Sequence, residues 1–566
     1  MIRRDTLFVF LFLFVIATAI LNAGMYLNDE WATAASLDQI AEGHQFTMNE
    51  GKYGYYANGT PTPYMTYRNE RLMYPITLPL VALPIHTLFS LCGDNFRAVI
   101  VVTWISALLL SMYILAGYME AKRFLPVYAI ASILGVINLL MYTPFQWIGQ
   151  FVPNEVISLV FTNIILFSTF GAIIYMITKE MFKTTASQIF ATIATISCSS
   201  ALFWTGTAKD HIFVMLLVVI VALSLIKYSK TKNIKMAAIA TFFSSILIWT
   251  RPEIGVGILV VTGLITLYLL QFDYRERCCC LLCKVDAACR SAVPYIILFI
   301  AALPGIALFF WNNYVVTGSL FLTPFMFANI GYATANITSP VYSVGGPMAC
   351  TPIICALRTL LFPASGAAGI IVIIPLIVVF ATLIFAYKRY RPDSTTIILA
   401  SLAIGAIAYY VFKGSFTLQS IDAGIFPDER YTTQIYALVT LIALDVIYKV
   451  YKDINYKVLI KNTLLAFGLV FSISILIVGI LTSTFPEEAQ FNTLMTVAIF
   501  AAIAIYLISV INDFRRDTKY FYKTIPLLIS IPLTWNVISI IMYSSVKVAS
   551  YPSFLPLMEF LHGLIF

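Results

Sequence analysis

The sequence predicts an all-α polytopic membrane protein with about 13–16 transmembrane helices, and three observations carry that reading. First, its 566 residues are 60% hydrophobic and 11% charged, with a mean hydropathy of +0.89. Soluble domains carry roughly 25% charged residues, so a chain this apolar cannot hide its surface in one water-soluble core. Second, apolar runs of helical length recur from end to end. Third, most of the 35 basic residues fall in alternate loops between those runs. The net charge of +8 is therefore read by which side of a membrane it falls on, and not as a nucleic-acid footprint.

In order, the runs lie at about 7–26, 98–118, 126–146, 155–178, 186–206, 212–228, 236–250, 254–271, 292–311, 366–387, 395–412, 432–448, 462–482, 492–511 and 524–545. Each approaches the roughly 20 residues that cross the hydrocarbon, with 212–228 and 236–250 on the short side. The first run is read as a retained anchor and not a cleaved signal peptide, because it continues to Met25 and Tyr26 without a small-x-small cleavage site. Alternate loops carry Arg3/Arg4, Lys122/Arg123, Lys179/Lys183, Lys227 to Lys235, Arg275 to Arg290, Lys388 to Arg391, Lys449 to Lys461 and Arg515 to Lys523. The positive-inside rule places these loops and the N-terminus in the cytoplasm and the C-terminus outside. Residues 76–92 are also apolar, but a crossing there would invert every later loop, and Pro75, Pro79 and Pro84 would break a straight helix. This stretch is read as a re-entrant or interfacial element on the outer side, with a kinked span as the alternative.

With that orientation the unusual polar residues collect on the outer face: Asp29 and Glu30, Asn154 and Glu155, Lys209-Asp210-His211, Arg251-Pro252-Glu253, Arg358, and Asp428-Glu429-Arg430. Ionised groups this near an apolar run are expensive unless paired or lining a wet cavity. Two outer loops are long, 27–75 and about 312–365. The first opens as NDEWATAASLDQIAEGHQF, whose spacing predicts an amphipathic helix lying on the membrane surface, with Trp31, Ala34, Ala35, Leu37 and Ile40 on one face and Asp38 and Glu42 on the other. Downstream come Tyr64, Tyr67, Arg71 and Tyr74, aromatic and basic groups suited to holding a sugar or acceptor; tyrosine is equally the ordinary residue of a membrane belt.

These residues resemble the GT-C superfamily of membrane glycosyltransferases, in particular the group of protein O-mannosyltransferases and the lipid A aminoarabinose transferase. The resemblance rests on the Asp29-Glu30 pair opening a helix after the first span, and on the Tyr74-Pro75-Ile-Thr-Leu-Pro79 turn. Further echoes are Thr250-Arg251-Pro252-Glu253, Asn312-Asn313-Tyr314 to Gly318-Ser319, and Asp428-Glu429-Arg430-Tyr431, where Asp-Glu stands for the Gly-Pro of related chains. It covers residues 1–450, as a catalytic transmembrane region; residues 451–566 are C-terminal spans of unassigned role.

The resemblance implies a transferase that takes a hexosyl or pentosyl unit from a polyprenyl-phosphate donor, inverts the sugar carbon and works on the extracytoplasmic side. The acceptor is a lipid, a glycan or a protein. Asp29 is then the expected general base, its pKa raised by Glu30, with Glu155 positioning the acceptor. Lys209, His211, Arg251, Arg358 and Arg430 are the expected donor-phosphate ligands. No cofactor is predicted, since the first loop lacks an acidic metal motif. The rival reading is a transporter or lipid-carrier flippase, which would place its ionisable groups at the bilayer midplane.

Weaker signals stay open. Cys278, Cys279, Cys280, Cys283 and Cys289 crowd one cytoplasmic loop, where thiols stay reduced; Cys350 and Cys355 share an outer loop. Asn58-Gly-Thr and Asn336-Ile-Thr are outward-facing acceptor sequons.

Overall fold

The computed structural model describes residues 4–21, 30–44, 67–68, 71–72, 75–117, 125–141, 146–147, 150–151, 153–277, 284–324, 369–386, 390–413, 430–450, 454–481, 488–516 and 521–542. Among these the chain is helical, apart from two minimal hairpins that pair Tyr67–Arg68 with Arg71–Leu72 and Gln146–Trp147 with Gln150–Phe151. The helices are α1 (Arg4–Ala19), α2 (Glu30–Ala41), α3 (Thr77–Cys92), α4 (Phe96–Ala116), α5 (Leu125–Gly135), α6 (Asn154–Met181), α7 (Thr185–Ser197) and α8 (Ala201–Thr205). They continue with α9 (His211–Thr231), α10 (Ile234–Thr250), α11 (Pro252–Arg277), α12 (Lys284–Thr317), α13 (Ile370–Ile373), α14 (Leu376–Ala386) and α15 (Ser394–Lys413). The last are α16 (Thr433–Val450), α17 (Tyr456–Leu481), α18 (Glu488–Arg516) and α19 (Ile525–Met542). Helices satisfy their own backbone groups, which is what an apolar solvent demands of such runs. Ten of the described helical stretches are long and apolar enough to span a membrane.

The apolar runs read from the sequence are helical over most of their described residues, but three are interrupted. The run at 186–206 divides into α7 and α8 around Ser200, which takes a left-handed φ of 51°. The run at 366–387 divides into α13 and α14 at Ile374-Pro375, where proline has no N–H to continue the first helix. The run at 126–146 ends in a π-helical turn, Val136–Met141. In α6 and α9, 83% of the apolar window is buried, against 6% in α12 and 11% in α17, so the first two form the centre and the last two the lipid-facing rim.

Two poles emerge from the contacts at helix ends. At one, Asp5 pairs with Lys179, Lys230 with Glu180 at 3.0 Å, and Lys449 with both Asp393 (2.9 Å) and Asp445 (2.7 Å). The Lys183 N–H donates to the Tyr448 hydroxyl at 3.3 Å. We call this the lysine pole. At the other, the Asn138 amide donates to the Ala19 and Leu21 carbonyls, and the Arg97 guanidinium donates to those of Leu139 and Leu140. The ends of α1, α6, α9, α15 and α16 that charge alternation assigns to one face meet in space.

The segment at 76–92 needs a correction of reason. Its prolines do not break it: Pro79 sits in the first turn, where its missing N–H is one that would have no partner anyway, and only Pro84 lies inside α3. Its placement agrees with an element lying on one side. At its start, Ile76 and Leu80 pack with Trp249 and Val316, at the ends of α10 and α12. At its end, the Phe89 ring meets those of Phe96 and Phe161 in tilted contacts at 5.7 and 5.6 Å, the latter about two turns into α6. Both ends therefore meet the pole opposite the lysines, and Gly93, with φ 53°, turns the chain into α4.

A second correction concerns α2, expected to lie on the surface with one polar face. Residues Glu30 to Gln39 are all buried. The helix packs against α3 and α6, and its small Ala32, Ala34 and Ala35, each wholly buried, permit that close approach. Asp38 is thus an interior residue, and only the end at Glu42 reaches the surface.

Candidate active site

The site is built around the segment between α8 and α9, residues 206–210, at the pole opposite the lysines. Asn163, buried nine residues into α6, donates its side-chain amide to the carbonyls of Thr207 (2.7 Å) and Lys209 (2.9 Å). Those carbonyls precede a helix and have no ladder partner, so the amide fixes a loop that would otherwise be expensive to bury. The Ala208 N–H then points to the start of α2 and donates to the Glu30 carboxylate at 2.7 Å. His211 opens α9 with its ring centroid 4.1 Å from that of Trp204 in α8.

The fourth wall is the junction of α10 and α11. Thr250 ends one helix and Pro252 begins the next, so Arg251 alone makes the turn, with non-helical backbone angles of −144° and 87°. Proline at the first helical position is pre-set for this, and the residue before it is steered out of the helical region. The fold-back is so tight that a Cβ on Gly255 would lie 2.3 Å from the Ile248 nitrogen, so only glycine fits there. Held at this turn, the Arg251 fork donates from Nε and Nη2 to the two oxygens of Asp210, at 2.8 and 2.6 Å. Its Nη1 lies 3.6 Å from Glu253.

Burial pushes the Asp210 carboxyl up, but the Arg251 charge and hydrogen bonds, with His211 and Lys209, outweigh it and bring it down to about 2. Burial in turn lowers Arg251, yet Asp210 and then Glu253 hold it well above its ordinary value. Both groups are therefore ionised. Tyr410, near the end of α15, is close enough to contribute to the Arg251 field, and its ring meets that of Tyr431 at 5.6 Å.

Of the residues expected from sequence, Glu30, Lys209, His211 and Arg251 converge here from three distant stretches, all buried or nearly so. Glu155 is buried in the first turn of α6, two turns before Asn163 and at the same pole. Arg251 is already engaged along its bidentate edge by Asp210. Asp29, Tyr64, Tyr74 and Arg358 lie outside the described residues, as do the side chains of Tyr67, Arg71 and Arg430. Among the described residues no group of three or more His, Cys, Asp or Glu side chains is arranged to hold a metal. Sequence reasoning does not find Asn163 or the Ala208 N–H; a lone amide inside the apolar run of α6 is the available signal for the former.

No family model matches the chain, and no curated protein matches it. Among solved structures, the crystal structure of ArnT from Cupriavidus metallidurans bound to undecaprenyl phosphate is similar to it, with a TM-score of 0.45 and 11% sequence identity. That match covers 94% of this chain and 75% of the other.

Proposed function

We propose that this protein is a membrane glycosyltransferase that moves a sugar from a polyprenyl-phosphate donor to an acceptor hydroxyl on the extracytoplasmic side. The observation that supports it best is the convergence of Glu30, Lys209, His211 and Arg251 on one buried segment at one pole. Their charge beside apolar runs marks these residues in the sequence, and they lie at helix ends and not at mid-span, where a transporter would gather its charges.

In this reading the acceptor oxygen attacks the anomeric carbon, the bond from that carbon to the phosphate oxygen breaks, and the phosphate leaves with the electron pair. Inversion follows from attack opposite the leaving group. Asp29 takes the acceptor proton, standing next to Glu30, whose own carboxylate is anchored on the Ala208 N–H. Lys209 and His211 meet the departing phosphate, while Arg251, its charge shared with Asp210, sets the field and the shape of the segment. The lipid carrier stays in the bilayer throughout.

The test uses purified protein in sealed proteoliposomes, given polyprenyl phosphates carrying radiolabelled hexose or pentose together with lipid, glycan and peptide acceptors that bear free hydroxyls. Wild type is expected to release free polyprenyl phosphate, and Asp29→Asn to lose at least about 100-fold of that turnover with unchanged membrane insertion and melting temperature. Undiminished turnover in Asp29→Asn excludes that residue as the base. No release from any donor, with a labelled carrier crossing the bilayer instead, establishes the flippase.

A further inference from the structure

The C-terminal spans have no role in the reading above, yet one of their residues bonds the helix break that leads into the site. We propose that Asn536, in α19, is the positioning residue that holds the break between α7 and α8 and so places the segment at 206–211. The inference rests on the transferase reading for its catalytic consequence, though not for its structural one.

A helix broken inside the bilayer leaves carbonyls at the end of one piece and N–H groups at the start of the next without partners, and lipid offers none. Asn536, wholly buried, supplies both. Its Nδ2 donates to the Ser197 carbonyl, the last of α7, at 3.1 Å, and also to the Pro532 carbonyl at 3.0 Å. Its Oδ1 accepts from the Phe203 N–H, in the first turn of α8, at 3.2 Å. The amide orientation is fixed by this pattern: two carbonyls face the nitrogen and one N–H faces the oxygen.

From α8 the effect passes by contact to the site. Phe203 lies between Trp535 (6.0 Å between centroids) and Trp204 (5.1 Å), and Trp204 is the ring that meets His211. A shift of α8 therefore moves His211 and the segment that bears Lys209, and a misplacement of about 1 Å costs about 100-fold in rate.

The experiment compares Asn536→Leu with Ser530→Ala. Ser530 lies in the same helix and donates to the Thr463 and Pro526 carbonyls, away from the break. Two readouts are taken on folded protein: turnover of the labelled polyprenyl-phosphate sugar, and N-ethylmaleimide modification of Cys198, followed by mass spectrometry. Cys198 is buried in the break itself.

Asn536→Leu is expected to lower kcat about 100-fold with donor KM changed less than about threefold, and to speed Cys198 modification at least about tenfold. Ser530→Ala is expected to do neither. Should Asn536→Leu fail to insert, Asn536→Asp keeps the shape and the acceptor but loses the donor to Ser197, and carries the same expectations. The proposal is overturned if kcat per folded molecule matches that of Ser530→Ala, or if Cys198 stays as unreactive as in wild type. If wild type turns over no donor, the transferase reading falls, and Cys198 modification alone decides whether Asn536 holds the break.

Discussion

Asp210 shows how the site is held at the scale of one residue. Its two oxygens take the two donors of the Arg251 fork, and both partners are largely shielded from water. Removing one member of such a pair strands the other, which costs about 3–5 kcal/mol. Asp210→Asn is therefore expected to be destabilised by about that much near neutral pH, read as thermal unfolding in mild detergent. The pH dependence has a definite sign. The folded carboxyl titrates at about 2 and the unfolded one at 3.8, so the stabilisation is complete above about pH 5 and is lost as pH falls toward 2. The gap between wild type and Asp210→Asn should be flat from about pH 7 to about pH 5 and narrower by about 1 kcal/mol at about pH 3. A gap that stays constant over that acid range means the carboxyl is not depressed in the folded protein.

At the scale of elements, packing in the apolar interior depends on where backbones can touch. The α11 and α15 helices cross at Gly257 and Gly405, where a Cβ on Gly257 would lie 2.0 Å from the Gly405 carbonyl oxygen. Small residues at a crossing are the usual means of helix association in lipid. This one brings Tyr410 toward the Arg251 turn. Gly257→Val is expected to destabilise by about 3 kcal/mol or more, since the clash is with backbone and cannot be relieved by a rotamer change. A Cβ on Gly468, in α17, would meet nothing within 4 Å, so Gly468→Ala should be neutral or stabilising by up to about 1 kcal/mol. Fluorescence size-exclusion melting of the two variants checks both.

The elements also show what the sequence could disclose. Run length and hydropathy locate the spans because the bilayer sets one length for all of them. The breaks at Ser200 and Ile374 were not visible as breaks: a left-handed serine has no compositional mark, and Pro375 sits in an otherwise unbroken apolar run. The burial of α2 was likewise hidden, because Ala-rich helices suit a surface or a tight interior equally. Glu30, Lys209, His211 and Arg251 stood out as charges beside apolar runs, whereas Asn163 and Asn536 did not. A single amide carries no charge signal, and the partners of Asn536 are far away in sequence, so only the fold reveals what it bonds.

For the molecule as a whole, the decisive property is sidedness, because a donor with its sugar outside is useless to a site facing the cytoplasm. Among the described residues the structure groups helix ends into two poles, and Lys179, Lys230 and Lys449 belong to one of them. The positive-inside bias predicts a cytoplasmic lysine pole and a Glu30–Arg251 site on the opposite side. Asp94 and Lys235 test this together. Asp94 is exposed in the turn between α3 and α4, and Lys235 is exposed at the start of α10. In a version with the native cysteines replaced, Asp94→Cys should react with a membrane-impermeant maleimide on intact cells, and Lys235→Cys only after permeabilisation. Asp94 carries a second burden. If α3 crossed the membrane in place of lying along one pole, Asp94 would lie opposite the exposed His44 that precedes α3, so His44→Cys and Asp94→Cys would respond differently where a helix lying along one pole makes them respond alike. Reaction at 235 in intact cells with none at 94 would reverse the orientation and turn the site toward the cytoplasm.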